Sequence, residues 1–553
     1  MALSLANRAA AHAQTKSWRS CIADMTVALE IAGASARIAM GWSSSKGRCL
    51  QATSDIRAGS LLISEPPIVY NVQPSTHALN FCQSCCRKLP ESGWLPCAEC
   101  ARENVRFCNL SCRSMAWQAF HAYECSMDVG FHENQLGSEN SEENWELLAQ
   151  RVLTGLATPH DLKEILGSKK NCSENDRILS GSQTVQNDTN YGADLPTVLS
   201  LMSRPVPIQF LITNGTFKMC SVAQTTFTTK FDLDQRAETQ SSLINLLNEL
   251  MGKIALNSHE IEVFDSESSR TSSIGTALYI CTALLNHSCV PNVSRHYDGN
   301  RIECRALKDI NAGQELTITY GARFGRERVA ERLDSLQKYY GFPCDCAGCR
   351  DEKLLQIEAR IFGGFRCVEC KDQDALLNQA TGKVTCLKCH GDQPYTPDSV
   401  KESIRATLRD VQTALQGGKG ARKKIMPRVE RTAALLSPTN DQYSLLWGAA
   451  AHVCMQVDIK LALKLINVPL QATRPLADIV QTDSVLWLYK IALKILSKSE
   501  PTSLTYARLC NEWLTYCLCF YGIRNSIESI KQMEDIGQEL IPKFIEIVEN
   551  VAD

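Results

Sequence analysis

The spacing of its cysteines constrains this chain more than any other feature. Between positions 82 and 125 it reads Cys82-x-x-Cys85, Cys97-x-x-Cys100, Cys108-x-x-x-Cys112 and His121-x-x-x-Cys125. Two intervening residues let both thiolates of a turn face one tetrahedral ion, and three put two ligands on one helical face. Eight ligands make two closed four-coordinate sites. With no coordination position left for water, such sites are structural rather than catalytic. Cys86 adjoins this run without a spacing partner and is expected to stay outside it. Further on, Cys344-x-Cys346-x-x-Cys349 supplies three ligands, one short of a tetrahedral site. Cys367-x-x-Cys370 and Cys386-x-x-Cys389 are spaced as in a zinc ribbon, with His390 an alternative to Cys389 and residues 381–385 reading as a hairpin return. Isolated thiols such as Cys21, Cys172, Cys220, Cys454 and Cys510 read as small core hydrophobes.

Composition narrows the setting. The chain has 553 residues, 26 of them Cys, with 58 Lys+Arg against 60 Asp+Glu and a net charge of −2. That balance excludes a global pull toward nucleic acid or an anionic membrane surface, and no sequence-specific nucleic-acid binding is expected. No apolar run approaches the 18 or so residues of a membrane span, and the N-terminus lacks a signal-peptide pattern. The expectation is a soluble intracellular protein without membrane partners. In a reducing compartment its thiols are metal ligands and core groups, not a disulfide framework.

Two further segments are chemically odd for a core: Leu284-Leu285-Asn286-His287-Ser288-Cys289-Val290-Pro291-Asn292 and Glu315-Leu316-Thr317-Ile318-Thr319-Tyr320-Gly321. In the second, Leu316, Ile318 and Tyr320 alternate with polar residues, which predicts a half-buried strand ending at Gly321. Together with Lys46-Gly47-Arg48-Cys49-Leu50 and the stretch through Glu65-Pro66, these segments resemble the SET domain of protein lysine methyltransferases. The cysteine-rich segment, with its Phe107-Cys108 pair and terminal His-x-x-x-Cys, resembles a MYND zinc finger. A finger placed inside a split SET domain resembles the SET-and-MYND family, over about residues 36 to 350.

The resemblance implies an α+β multidomain fold: a split SET β-fold with an inserted MYND finger, a post-SET zinc site and a helical, tetratricopeptide-like C-terminal domain. The corresponding segments are 36–81 and 271–321 for the SET parts, 82–125 for the finger, 126–270 for a linker and insert, 322–350 for the post-SET segment, 364–392 for the ribbon and 399–553 for the helical domain. It implies S-adenosylmethionine as cofactor and methyl transfer to a lysine of a protein substrate, histone or not, with a role in transcriptional regulation. Methyl transfer is an in-line displacement in which alignment and preorganised oxygens matter more than proton transfer. Tyrosines suit it, offering a hydroxyl and an aromatic wall that favours cations.

Residue by residue, the resemblance makes Tyr320 the catalytic tyrosine and Tyr340 the second channel tyrosine, with Tyr339 out of register. Asn286, His287, Asn257, Lys46, Gly47, Arg48 and Phe342 fall at cofactor positions, with Tyr320 beside them. For Asn257 a helix cap is the plain alternative. Cys82, Cys85, Cys108 and Cys112 share one zinc, Cys97, Cys100, His121 and Cys125 the second, and Cys289 completes the third with Cys344, Cys346 and Cys349. A fourth zinc is expected in the ribbon, as in the tetratricopeptide-bearing branch. The finger implies docking of proline-rich peptides from corepressors or deacetylase complexes, with a folding clip within a larger enzyme as the alternative. A monomer of the cytoplasm and nucleus is expected.

One departure stands out. Where the family's opening loop has a second glycine this chain has Cys49, and a Cβ hinders a positive φ and close cofactor approach. That favours the rival class, a MYND-centred adaptor with weak or absent activity. A zinc-dependent ubiquitin ligase would leave the SET motifs without a role. At the N-terminus, residues 1–33 read as one tetratricopeptide-like helix pair. A lone repeat cannot bury its face, so the chain is expected to be N-terminally shortened relative to that branch. A mitochondrial presequence with Arg8, Lys16 and Arg19 is the alternative. Residues 132–200 read as containing a surface loop, and Lys419, Arg422, Lys423, Lys424 and Arg428 as a basic run for nuclear import or a solvated helix turn.

Overall fold

The computed structural model describes residues 37–43, 46–73, 80–100, 105–125, 145–157, 195–199, 201–203, 237–265, 270–371, 374–378, 381–416, 425–455 and 458–473, with isolated helical positions at 162, 166, 488–489, 491–496 and 509. The N-terminal helix pair, most of the 132–200 segment, and the basic run before Arg428 lie outside these residues. So do the thiols of Cys21, Cys172, Cys220 and Cys510. The chain divides into two compact units, one of residues 1–286 and 294–316, the other of 287–293 and 317–553.

In the first unit, β1 (Ile38–Ser43) and β2 (Gly47–Ala52) form an antiparallel hairpin in which Ser43 faces Gly47 and Ile38 faces Ala52. Gly47 takes a φ of 76°, the left-handed backbone that a glycine adopts without steric cost. β3 (Leu61–Glu65) lies beside β11 (Arg301–Ala306), which also neighbours β10 (Val293–Asp298). β4 (Val69–Val72), β8 (Arg270–Leu278) and β7 (Ser258–Asp265) make another antiparallel sheet. Gly275 is required there, because a Cβ would sit 2.0 Å from the Asn71 carbonyl oxygen. Apolar residues at i, i+3 and i+4 build the neighbouring helical layer. Trp145, Leu148, Ala149, Val152 and Leu153 of α2 (Trp145–Leu156) pack on Leu246, Leu250 and Ile254 of α3 (Ala237–Asn257), with Val69 and Leu278 beneath.

The cysteine-rich finger belongs to this unit. Its short strands β5 (Leu95–Pro96) and β6 (Arg106–Phe107) pair, and α1 (Leu110–Ala116) follows, capped by Asn109, which accepts from the Cys112 N–H at 2.8 Å. A π-helical turn, Trp117–His121, carries the chain on to Cys125. The finger is tied down by its first turn. Asn300 donates its backbone N–H to the Cys85 carbonyl (3.0 Å) and its Nδ2 to that of Ser84 (3.1 Å), while Arg87 pairs with Asp298 at 2.7 Å. Gly299, at φ 65°, leaves room for this contact, since a Cβ would lie 2.2 Å from the Cys85 carbonyl oxygen. Arg151 adds a second tie, with Nε and Nη2 on Glu124 (2.6 and 2.8 Å), Nη1 on the Tyr70 carbonyl, and its guanidinium over the Phe120 ring.

The chain passes between the units within Asn286–His287 (β9), after Val293, and within β12 (Glu315–Ile318). β12 pairs with β2 through Glu315 and Leu316. The half-buried strand expected here is instead buried on both faces: Thr317 and Thr319 are covered as well as Leu316 and Ile318. Thr317 has a partner inside, as described below, so its burial leaves no orphaned hydroxyl.

In the second unit, α4 (Val329–Tyr340) and α5 (Glu352–Gly363) surround a core of Cys289, Phe324, Leu336, Cys344 and Ile361. A three-stranded sheet follows: β13 (Gly364–Arg366), β14 (Asp374–Leu377) and β15 (Val384–Cys386), with the expected hairpin between the last two. Helices α6 (Pro397–Gln416), α7 (Met426–Ala433), α8 (Asp441–Cys454) and α9 (Ile459–Thr473) pack on it. Cys454 is a core thiol as expected. No described helix is long and apolar enough to cross a membrane.

Candidate active site and metal centres

In the first unit the opening hairpin meets Asn286. Lys46 and Glu315 form an ion pair at 2.9 Å, and Glu315 also accepts from Asn286 Nδ2 at 2.9 Å. The same Nδ2 donates to the Arg48 carbonyl at 3.0 Å. Lys46, Arg48 and Asn286 are therefore brought together as expected, and Glu315, which sequence reasoning passed over, is the group that joins them. Among the described residues nothing donates to the Asn286 amide oxygen. An acceptor of this kind fits a cationic amino-acid moiety, so the residues present suit the cofactor that the resemblance implies.

Cys49 lies inside β2 opposite Gly41 and fully buried, and its backbone is not in the positive-φ region. The strain expected from a Cβ at this position is absent, because the left-handed turn falls at Gly47 instead. Burial, then the charge of Glu315, pushes the Cys49 thiol pKa up, which keeps it protonated and inert. Asn257 ends α3 and donates Nδ2 to the carbonyls of Lys253 (2.7 Å) and Met202 (2.9 Å). One contact serves the helix end and the other ties it to residues 201–203.

In the second unit the segment from His287 to Asn292 is laced to the tail of β12. Ser288 N–H donates to the Ile318 carbonyl (2.9 Å), and Asn292 Oδ1 accepts from the Thr317 N–H (2.8 Å) and hydroxyl (3.3 Å). His287 Nδ1 accepts from the Tyr320 N–H at 3.0 Å, which leaves Nε2 as the N–H pointing at Cys289 Sγ, 3.3 Å away. Both ring nitrogens are thereby engaged, so His287 positions Tyr320 and the thiolate, and its backbone is what remains for a ligand.

Around this histidine the predicted aromatics gather. The Tyr320 ring lies 4.9 Å from that of Tyr340, and 5.4 Å from that of His287. Phe342 stands nearly perpendicular to Tyr320 at 6.5 Å. The local sequence explains the arrangement. Tyr340 is the last residue of α4, and Gly341 at φ 75° closes the helix with its N–H on the Leu336 and Gln337 carbonyls, turning Phe342 back toward the cluster. Tyr340 Oη donates to the Tyr320 carbonyl at 3.1 Å. Gly321, at φ 115°, ends the strand beyond Tyr320. Tyr339 points to solvent, half exposed, as its register predicted.

Four groups of ligand atoms converge, each with all its atoms within 4.8 Å of one another: Cys82, Cys85, Cys108 and Cys112; Cys97, Cys100, His121 and Cys125; Cys289, Cys344, Cys346 and Cys349; Cys367, Cys370, Cys386 and Cys389. These are the quartets expected, with Cys86 and His390 left out. Zinc–sulfur bonds of about 2.3 Å give a tetrahedral edge of about 3.8 Å. The sulfur pairs Cys85–Cys108 and Cys97–Cys125 are 3.8 Å apart and Cys289–Cys349 3.6 Å, so the donor sets fit a tetrahedral ion.

Two buried groups were not read from the sequence. Glu65 accepts from the Thr282 N–H and hydroxyl (2.7 Å each) and from the Cys281 N–H (3.1 Å), fixing the turn that leads into Asn286. Burial pushes its carboxyl pKa up against these hydrogen bonds. Arg332, with no exposed side chain, is paired with Glu358 and donates to the Gly348 carbonyl at 2.7 Å, bracing α4 against the Cys346–Cys349 turn.

The SET domain family model matches residues 47–321. A mouse (Mus musculus) protein, Protein-lysine N-methyltransferase SMYD4, is 24% identical over 443 residues, which cover 69% of this chain and 53% of that protein. Its human (Homo sapiens) counterpart is 22% identical, over 77% of this chain and 59% of its own length. N-lysine methyltransferase SMYD2 of cattle (Bos taurus) is 26% identical over 318 residues, 57% of this chain and 61% of that protein. The chain thus spans between half and two thirds of the length of these relatives. A SET domain interrupted by a finger with two four-ligand clusters defines the class. The chain carries a SET domain and is similar to the SET-and-MYND proteins.

Proposed function

We propose that the chain is an S-adenosylmethionine-dependent protein-lysine N-methyltransferase. The observation that supports this reading is the aromatic cluster of Tyr320, Tyr340 and Phe342 held by His287, the residues to which the resemblance assigns the catalytic, channel and cofactor positions. When bound, the cofactor supplies an electrophilic sulfonium methyl. Lys46, Arg48 and Asn286 hold it on the first unit. In the second unit Tyr320 would orient a neutral amine with its hydroxyl, and Tyr340 would wall the lysine channel. The second-unit Cys289 quartet would hold a zinc, which would fix the segment bearing Tyr340 and Phe342 to that bearing His287.

Protein substrates follow from the activity named for the relatives. The same reading includes the tetratricopeptide-bearing branch, a single-chain protein of the cytoplasm and nucleus, transcriptional regulation, and proline-rich partners at the finger. Calorimetric titration of the metal-replete chain with S-adenosylmethionine, with a labelled-methyl assay, tests it. Binding that survives in Tyr320→Phe, with methyl transfer falling at least tenfold, is the expected result. No cofactor binding at all sinks the enzyme and leaves the adaptor.

A further inference from the structure

Outside the SET match, Cys367, Cys370, Cys386 and Cys389 gather on the sheet β13–β15, with Sγ separations of 3.7 Å (Cys367–Cys389) and 4.0 Å (Cys370–Cys386). We propose that this quartet binds a zinc ion of its own, and that the ion holds the sheet on which helices α6–α8 are built.

The backbone gives the strongest sign. Among the described residues, three that are not glycine have a positive φ: Cys86, Lys371 and His390, each at 56°. Each directly follows the second thiol of a C-x-x-C pair. Each closes the same turn, its N–H donating to the carbonyl of the first cysteine of the pair: Cys86 to Cys82 (2.9 Å), Lys371 to Cys367 (2.8 Å) and His390 to Cys386 (3.2 Å). In all three turns a further backbone N–H approaches the first sulfur: Ser84 to Cys82 (3.4 Å), Cys370 to Cys367 (3.3 Å) and Lys388 to Cys386 (3.3 Å). An N–H aimed at sulfur favours thiolate over thiol, and left-handed backbone is costly for a residue with a Cβ. Such turns persist where surrounding bonds over-determine them. Among the described residues the finger shows this turn once, after Cys85. The ribbon uses it twice and brings the two pairs face to face, which is what a tetrahedral S4 ion requires.

The sheet that carries the sulfurs is bonded on both sides. From α5, Arg360 pairs with Asp374 at 2.8 Å, and Asp374 also accepts from the Ser437 hydroxyl at 2.8 Å. Gly364 O accepts from Ser437 N–H and Asn440 Nδ2, both at 3.0 Å, and Arg366 N–H donates to the Leu435 carbonyl at 3.0 Å. Cys367 and Cys386 are buried in the same core as Val400, Ile404, Val429 and Leu446. The ion joins β13 to β15 beneath the helices. Its position is also the most open of the four, because Cys389 is exposed, whereas no ligand of the other three quartets is. This zinc is therefore the first to yield to a competing chelator.

The test reads metal and structure in the full-length chain, not activity, so it stands apart from the methyltransferase reading. Elemental analysis of zinc-replete protein is expected to give four zinc ions per chain, and three in Cys367→Ser/Cys370→Ser. Should that variant not accumulate, the wild type decides alone. Titration with a chromophoric chelator, followed by hydrogen exchange, is expected to release a first equivalent that speeds exchange in residues 397–454 at least tenfold and leaves 329–340 unchanged. Three zinc ions in the wild type, iron in place of zinc at the fourth site, or a first equivalent that leaves 397–454 protected would each overturn the proposal.

Discussion

Glu358→Gln isolates the brace between α4 and the metal-bearing turn. Arg332 is wholly buried, pairs with Glu358, and donates to the carbonyls of Glu327 (2.6 Å) and Gly348 (2.7 Å). Glu358 also caps the start of α4 by accepting the Val329 N–H at 2.7 Å. Glutamine keeps the size and the acceptor but removes the charge. Burial lowers the Arg332 pKa, yet Glu358 outweighs it, and a guanidinium does not neutralise itself on losing its partner. Breaking a buried pair in this way costs about 3–5 kcal/mol. The carbonyls of Glu327 and Gly348 remain as partners, which places the loss at the lower end, about 3 kcal/mol. At about 1.4 kcal/mol per factor of ten, hydrogen exchange of the α4 amides should accelerate about a hundredfold in zinc-replete protein. Exchange in β2, in the other unit, serves as the internal control. Arg332→Met with Glu358→Leu removes both charges and should return α4 to within about fivefold of wild type, since apolar replacement of a buried pair is often neutral. A change below threefold in Glu358→Gln, or a double variant worse than the single, would refute the reasoning.

Gly299→Ala forces a Cβ against the Cys85 carbonyl at a left-handed position. It should cost about 2–4 kcal/mol from backbone strain and overpacking, read as faster exchange in residues 80–89. Glu65, whose carboxyl pKa burial raises, holds a proton in the folded chain at pH values where the unfolded chain has released it. Its contribution to stability is therefore greatest at acid pH and falls as pH rises from the unfolded value toward the folded one. Glu65→Gln should flatten that part of a denaturation-against-pH profile, and an unchanged profile counts against the assignment. Glu315→Gln removes the partly exposed ion pair with Lys46, worth at most about 1 kcal/mol, together with the charge that orients Asn286. Calorimetry should show S-adenosylmethionine binding weakened about tenfold, or about 1.4 kcal/mol.

The metal centres were legible because ligand spacing is local: a two-residue gap makes a turn whatever the surrounding fold. How the pairs interleave is not local, and that came from resemblance. Tyr320, Tyr340 and Phe342 were likewise placed by resemblance, and the glycines beside them, Gly321 and Gly341, end the elements that carry them. Glu315, Glu65 and Arg332 could not be placed, since their roles depend on partners brought close by the fold: Asn286 and Lys46, Thr282, and Glu358. Cys49 shows the opposite failure. A residue-type rule predicted strain, whereas the strand register moves the left-handed turn to Gly47. The buried face of Thr317 was likewise hidden, because alternation cannot show that Asn292 waits on the far side to accept its hydroxyl.

The passage of the chain between its two units also fixes an order of synthesis. Residues 287–293 belong with the second unit, yet they are made before residues 294–316, which complete the first. Cys289 emerges 57 positions ahead of Cys346, toward whose sulfur its N–H is directed. During elongation residues 287–293 are therefore made before residues 317–553, with which they belong. A chain truncated between residues 316 and 344 would carry Cys289 without Cys344, Cys346 and Cys349, the other members of its quartet.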